Sequence, residues 1–177
     1  SISNRLLILN ALAEKPGKLE NLSTSEDTKA LAKALATPEG TIDIGHAGTA
    51  MRFLTAYLSI GNGNFILTGS ERMLQRPVGE LVNALNALGA RIEYRGTPGY
   101  PPLFIRGSRI DGGEISVDSS ISSQYISALM MIGPVLKNGL TIRLRKKAVS
   151  FSYLQLTRNL MLELDIPVRF EGNSIEI

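Results

Sequence analysis

Three strongly apolar helices recur along this chain, and the same kinds of shorter elements follow each of them. Hydrophobic periodicity predicts these helices at roughly Asn4–Glu14, Thr49–Ile60 and Ser123–Leu136. Each helix begins after small polar residues and ends at a turn that contains glycine. A repeat of this kind predicts a modular fold, in which similar units bury a common core.

A strand-like run, a second helix and further strands follow each apolar helix. The strand-like runs are Lys18–Leu22, Asn64–Leu67 and Leu140–Leu144. The second helices are about Thr28–Ala36, Val78–Leu88 and Tyr153–Leu164. The closing strands are Thr41–Ile44 in the short first unit, Arg91–Tyr94 and Leu103–Arg106 in the second, and Val168–Glu171 and Ser174–Ile177 in the third. We therefore expect a single domain over residues 1–177, with three helix–strand–helix–strand–strand repeats at about 1–44, 45–118 and 119–177.

The distribution of apolar residues predicts which elements lie inside. The first helix of each unit is apolar around most of its circumference, as in LLILNALA and ISALMMIGPVL, and such helices belong in a core. The strands carry polar residues at alternate positions, so one face of each sheet can meet water. The expected fold class is α/β, an inside-out, barrel-like domain with buried helices and outer sheets. The alternative is an α/β sandwich with one surface layer of helices.

The composition excludes several kinds of site. The chain has no Cys and a single His, His46, which excludes a disulfide framework, a Cys zinc site, an iron–sulfur cluster and a thiol nucleophile. We also expect no metal and no cofactor. The absence of Cys fits a cytoplasmic protein, and no apolar run approaches the ~20 residues that span a bilayer. A net charge of +3 and 6% aromatic residues argue against nucleic acid as a partner.

The starts of the three apolar helices are the strongest candidates for a binding site. They are residues 1–5 (SISNR), 45–52 (GHAGTAMR) and 119–124 (SSISSQ). Unpaired backbone N–H groups and the helix dipole favour anions at such positions, and hydroxyls and Arg side chains add donors. If the repeats are arranged with threefold symmetry, the three starts converge at one end of the domain. The alternative is that each Ser or Thr only caps its helix.

Two further segments carry candidate ligand groups. Arg76 precedes Pro77 in a loop before the second helix of the middle unit, where it could also be a solvated side chain. Ser150 opens the corresponding helix of the third unit, where its hydroxyl could cap the helix or bind a ligand. His46 stands alone and is only a marginal catalytic candidate.

Five motifs in the same order resemble those of the 5-enolpyruvylshikimate-3-phosphate (EPSP) synthase family. GHAGTAMR (residues 45–52) is similar to the family's GNAGTAMR, and SISNR at the start is similar to KSxSNR. LTGSERMLQRP (67–77) resembles LTGxxRMxxRP, ISSQYISALMM (121–131) resembles VSSQFxxALLM, and VSFSY (149–153) resembles VSxPY. The family's Lys before SISNR would fall just upstream of Ser1, His46 replaces an Asn, and Phe53 replaces a Pro.

The resemblance implies a transferase that moves the enolpyruvyl group of phosphoenolpyruvate to the 5-hydroxyl of shikimate 3-phosphate and releases phosphate. By position, the shikimate 3-phosphate ligands would be Ser1, Arg5, Ser122, Ser123, Gln124, Ser150 and Tyr153. The phosphoenolpyruvate ligands would be Gly48, Arg76 and Gln124. His46, Thr49 and Arg52 would support the site.

The resemblance also implies that this chain is half of an enzyme. Family members have two similar domains of three repeats that close over the substrates, and the acid–base residues lie in the half that this chain lacks. We therefore expect no catalytic residue here, no activity of the chain alone, and the second domain as its partner. The alternatives are the corresponding half of a UDP-N-acetylglucosamine enolpyruvyl transferase, or a non-catalytic small-molecule-binding module.

Overall fold

A computed structural model describes residues 2–118, 122–146 and 150–177. The helices are α1 (Ile2–Leu12), α2 (Glu26–Leu35), α3 (Gly48–Ile60), α4 (Glu71–Leu74), α5 (Gly79–Ala87), α6 (Ser123–Ile132) and α7 (Phe151–Glu163). One 3₁₀ turn, Gly133–Val135, extends α6. The strands are β1 (Gly40–Asp43), β2 (Asn64–Thr68), β3 (Arg91–Tyr94), β4 (Leu103–Arg106), β5 (Gly113–Val117), β6 (Leu140–Leu144), β7 (Arg169–Glu171) and β8 (Ser174–Glu176).

The strands form two four-stranded sheets of the same topology. The order is β1-β2-β4-β3 in one sheet and β5-β6-β8-β7 in the other. The first two strands of each sheet are parallel, with Ile42 opposite Leu67 in one and Ile115 opposite Ile142 in the other. The remaining neighbours are antiparallel. The two sheets are thus copies of one arrangement, as the internal repeat requires.

The helices lie inside and the sheets outside. The helix α6 exposes almost none of the apolar side chains between Tyr125 and Ile132, and α3 is buried to a similar degree. Residues of β2 alternate between exposed and buried, so one face of its sheet packs on the helices and the other meets solvent. This arrangement confirms the expected inside-out α/β fold and excludes the surface-layer alternative.

The pairing of the strands changes the boundaries of the repeat units. β1 was expected to close the first unit, but it pairs with β2 of the second, and β5, which the sequence did not predict, pairs with β6. Each complete unit therefore begins with the strand before its apolar helix. The prediction of a strand at Lys18–Leu22 is wrong, since residues 13–25 contain none. Among the described residues, α1 and α2 have no sheet of their own.

Candidate functional site

The N-terminal turns of α1, α3 and α6 lie together at one end of the domain. Arg5 of α1 has its guanidinium carbon 5.4 Å from the ring centroid of Phe53 in α3, and its Nη2 lies 3.2 Å from Ser127 Oγ in α6. Gln124 Nε2 donates to Thr49 Oγ1 over 3.3 Å, which joins the starts of α6 and α3. The three helix dipoles therefore direct positive charge to a common region.

Arg5 is the buried cation of this region. It is 2% exposed, and its Nε donates to Thr157 Oγ1 over 2.7 Å. Its guanidinium also lies 5.9 Å from the ring centroid of Tyr153, on α7. Desolvation lowers the pKa of Arg5 to about 10, and the interaction with Tyr153 opposes that shift only in part. Arg5 therefore stays charged at neutral pH in spite of its burial.

Two buried hydroxyls hold Arg5, and sequence reasoning did not identify them. Thr157 Oγ1 donates to the carbonyl of Tyr153 over 2.8 Å and lies 3.0 Å from Ser127 Oγ. Both side chains are completely buried. A signal was present, because each is a hydroxyl residue in a helix segment that is otherwise largely apolar on its buried side. Such hydroxyls occupy core positions when a buried polar partner needs them.

Arg76 covers the first residue of α3. A β-carbon on Gly48 would lie 2.9 Å from the guanidinium carbon of Arg76, so the guanidinium can occupy this position only because residue 48 is glycine. The preceding residue, Ala47, caps α3 without a side-chain hydrogen bond. The helix start and the exposed guanidinium therefore face the same volume, an arrangement suited to an anion.

Arg52 connects the start of α3 to the loop that carries Arg76. It is 5% exposed; Nη1 donates to the carbonyl of Gly48 over 3.0 Å and Nη2 donates to that of Pro77 over 3.3 Å. The hydroxyl of Tyr125 also donates to the Pro77 carbonyl, over 2.5 Å. Burial is the main cause that lowers the pKa of Arg52. Arg52 thus ties the loop that carries Arg76 to the start of α3.

His46 lies at the open side of this region. Its Nδ1 is 2.7 Å from Ser70 Oγ, and the ring lines an open pocket of about 440 Å³ together with Arg72, Met73 and Arg76. His46 and Arg76 are both exposed. The short helix α4 was expected to be loop, and its cap residue Ser70 was not among the predicted site residues.

The remaining predicted ligands surround the start of α6 and α7. Ser122 accepts from the backbone N–H of Gln124 over 3.2 Å, so its hydroxyl does cap the helix, as the alternative interpretation held. Ser123 is buried, and Tyr153 is about half exposed. Ser150 has a left-handed backbone, with φ 57°, and makes no side-chain cap bond to α7. Ser1 and residues 119–121 lie outside the described residues.

The described residues form neither a metal-binding cluster nor a membrane-spanning helix. Within residues 2–118, 122–146 and 150–177, no three His, Cys, Asp or Glu side chains cluster where they could hold a metal ion. No helix in the described part of the chain is long and apolar enough to cross a membrane.

Comparison with known proteins identifies the family. The family model for EPSP synthase (3-phosphoshikimate 1-carboxyvinyltransferase) matches residues 32–177. A 3-phosphoshikimate 1-carboxyvinyltransferase of Bacteroides fragilis strain YCH46 is 56% identical over 161 residues, which are 91% of this chain and 39% of that protein. One of Photobacterium damsela subsp. piscicida is 40% identical over 194 residues, covering 95% of this chain and 46% of that protein.

A solved structure has the same fold. EPSP synthase from Acinetobacter baumannii superposes with a TM-score of 0.84 at 22% identity, covering 99% of this chain and 44% of that one. This chain therefore spans less than half the length of these relatives. On the family match and the identity to curated relatives, the chain belongs to the EPSP synthase family.

Proposed function

We propose that this chain is the substrate-binding half of an enolpyruvyl transferase that acts on shikimate 3-phosphate and phosphoenolpyruvate. The observation that carries the proposal is Arg5, a cation that is 2% exposed and lies where three helix N-termini meet. A buried charge is costly, and a protein that keeps one at such a position gains most when an anion binds there. Both proposed substrates are phosphorylated anions.

Shikimate 3-phosphate would occupy the region between α1, α6 and α7. Arg5 supplies the charge, while Ser123, Ser150 and Tyr153 offer hydroxyl donors at the starts of α6 and α7. Ser122 and Gln124 complete the proposed set, together with Ser1. The half exposure of Tyr153 supports this assignment, because one side of the ring packs against Arg5 while solvent reaches the rest.

Phosphoenolpyruvate would occupy the adjacent region at the start of α3. Gly48 exposes the helix N-terminus, Arg76 covers it with a guanidinium, and Arg52 holds the Arg76 loop in place. Gln124 donates to Thr49 and so borders both regions, which supports its proposed contact with both substrates. Two anions bound side by side need cationic groups near each of them, and this site offers one Arg for each.

The same geometry supports a chain that binds the two substrates but does not convert them into product. Moving an enolpyruvyl group from phosphate to a hydroxyl requires proton transfers as well as anion stabilisation. The proposed ligands are Arg, Ser, Gln, Tyr and glycine backbone, and among the residues assigned to the site only His46 belongs to a type that ordinarily serves as an acid or base near neutral pH. We therefore assign proton transfer to the rest of a longer enzyme, whose second domain would be the partner of this chain. A cytoplasmic location stays a prediction.

Calorimetric titration with shikimate 3-phosphate tests the proposal. We expect the wild-type chain to bind, the Arg5→Ala and Ser123→Ala variants to lose most of that affinity, and Arg106→Ala, on an outer strand, to retain it. We expect no 5-enolpyruvylshikimate 3-phosphate from the chain alone when both substrates are supplied. Equal affinity of wild type and Arg5→Ala for shikimate 3-phosphate would contradict the proposed binding site. Product formation by the chain alone would contradict the assignment of proton transfer to a second domain.

Calorimetric titration also distinguishes the two alternative functions. The family match does not favour a UDP-N-acetylglucosamine enolpyruvyl transferase. Binding of that nucleotide sugar more tightly than shikimate 3-phosphate would nevertheless shift the assignment to it. A non-catalytic module would bind shikimate 3-phosphate without any response to phosphoenolpyruvate.

A further inference from the structure

His46 is attached to a second loop through its ring. Nδ1 of His46 lies 2.7 Å from Ser70 Oγ, although the two residues are separated by 24 positions in the chain. Ser70 N donates to the carbonyl of Gly45 over 3.0 Å, and a β-carbon on Gly69 would lie 2.6 Å from that same carbonyl oxygen. The two loops are therefore packed backbone to backbone, and the imidazole has a defined position.

The hydroxyl of Ser70 has one proton to donate and already accepts one hydrogen bond. As the N-cap of α4, Ser70 Oγ accepts from the backbone N–H of Met73 over 3.3 Å. A serine hydroxyl donates one hydrogen bond and can accept two. When it donates to Nδ1 of His46, a neutral imidazole must carry its proton on Nε2, since one ring nitrogen is the acceptor and the other the donor.

His46 also lines a charged pocket, on which its second ring nitrogen could act. The pocket of about 440 Å³ is bordered by His46, Met73 and the guanidinium-bearing residues Arg72 and Arg76. Arg76 also covers the start of α3 at Gly48. A lone pair on Nε2 would repel an anion in this pocket, whereas an N–H on Nε2 would donate to it.

We propose that Ser70 holds His46 in its Nε2–H form, and that His46 donates this proton in a hydrogen bond to the anion held by Arg76. The inference rests on the proposed function, because the anion in question is phosphoenolpyruvate at the start of α3. It assigns His46 as a ligand-contacting donor and Ser70 as the residue that positions it. Arg76 supplies charge, and His46 supplies a directional neutral donor that discriminates between anions of different shape.

Nuclear magnetic resonance of the full chain tests the tautomer directly. The sequence contains one His, so the ring signals of a ¹⁵N-labelled chain arise from His46 alone. Long-range ¹H–¹⁵N correlation at about pH 8, where an ordinary imidazole is neutral, distinguishes Nε2–H from Nδ1–H. With shikimate 3-phosphate bound, we expect the Nε2–H pattern, and a shift of its ring signals when millimolar phosphoenolpyruvate is added.

Variants of Ser70 and His46 test whether Ser70 positions the imidazole or only supports the local structure. We expect Ser70→Ala and His46→Phe to weaken phosphoenolpyruvate binding by about threefold to tenfold, the effect of one lost hydrogen bond. Ser70→Thr, which keeps a hydroxyl, and His46→Asn, which keeps an N–H donor, should restore most of the affinity. All four should bind shikimate 3-phosphate as the wild type does.

The outcomes separate the two hypotheses. If shikimate 3-phosphate binds in an Arg5-dependent way but the His46 signals show the Nδ1–H form, or do not respond to phosphoenolpyruvate, the proposed function survives and this inference falls. Unchanged phosphoenolpyruvate affinity in Ser70→Ala and His46→Phe would have the same meaning. If shikimate 3-phosphate does not bind the wild-type chain at all, the proposed function fails and takes this inference with it.

Discussion

A β-carbon on Gly48 would lie 2.2 Å from Nη1 of Arg76, far inside any contact that real side chains make. The guanidinium of Arg76 therefore occupies the space directly above the first residue of α3. This single relationship explains why the helix start has no side chain. It brings a positively charged side chain and the backbone N–H groups of a helix start to the same volume, which is the basis of the proposed phosphoenolpyruvate region.

Replacing Gly48 with Ala should damage binding without damaging the fold. The clash is with the far end of an exposed side chain, so Arg76 can move aside and the free energy of unfolding should change by less than about 1 kcal/mol. We expect phosphoenolpyruvate affinity to fall by about tenfold or more, because a charge-assisted hydrogen bond is displaced. Calorimetry in the presence of shikimate 3-phosphate measures this loss.

A matched control lies at the other end of the same helix. Gly61 follows α3, and a β-carbon there would come no closer than 3.9 Å to any neighbour. Gly61→Ala should leave both affinities unchanged. An equal loss of phosphoenolpyruvate affinity in the two variants would mean that helix stability, and not the position of Arg76, controls binding.

Replacing Arg5 with Met should stabilise the chain while it abolishes binding of shikimate 3-phosphate. The variant removes a buried charge, and Ser127 and Thr157 still bond to each other. The expected gain in the free energy of unfolding, measured by urea denaturation, is about 1–3 kcal/mol, as for other buried charges replaced by apolar residues. A loss of stability together with retained binding would contradict the proposed role of Arg5.

The stability gain from Arg5→Met should depend on pH. Burial lowers the pKa of Arg5 to about 10, well below that of an arginine in the unfolded chain, so the unfolded chain binds more protons than the folded one between the two values. Wild-type stability therefore rises relative to the variant as pH passes through that window, and below it the full cost of the buried charge is present. The difference between the two free energies of unfolding should shrink from about pH 9 to about pH 11. A difference that grows over this range would refute the assignment.

Thr157 and Arg5 should be energetically coupled. Thr157→Val removes the acceptor of the 2.7 Å bond from Arg5 Nε and leaves a buried donor unsatisfied there. We expect this variant to lose about 1–3 kcal/mol of stability in the wild-type chain and much less in the Arg5→Met background. A double-mutant cycle by urea denaturation measures the coupling, and purely additive effects would show that Thr157 serves packing alone.

Replacing Arg52 with Lys should loosen the loop that carries Arg76. A lysine has one nitrogen and cannot reach the carbonyls of Gly48 and Pro77 with the geometry of the guanidinium fork. We expect a loss of about 1–3 kcal/mol in the free energy of unfolding and a several-fold loss in phosphoenolpyruvate affinity. Arg91→Lys, on an exposed strand position, is the control and should change neither quantity. Unchanged phosphoenolpyruvate affinity in Arg52→Lys would show that Arg52 does not support the phosphoenolpyruvate region.

Local patterns in the sequence predicted every helix except the short α4, and most of the strands. The apolar runs of α3 and α6 required burial on nearly all sides, and the alternation in strands such as β2 required one face in contact with water, so periodicity favoured the inside-out fold, and the structure then excluded the surface-layer alternative. The polar helix starts indicated where an anion would bind. The helix starts, their caps and these patterns all depend on residues close together in the chain.

Only the tertiary structure decided which distant groups meet. Arg5 and Thr157 are 152 positions apart, and nothing local to either of them indicates the bond between their side chains. The pairing of β1 with β2 and the contact of Ser70 with His46 likewise depend on how whole units pack. Periodicity predicts whether a residue is buried. The hydrogen-bond partner of a buried polar group depends on the packing of the complete core, because the partner can come from any part of the chain that the fold brings close.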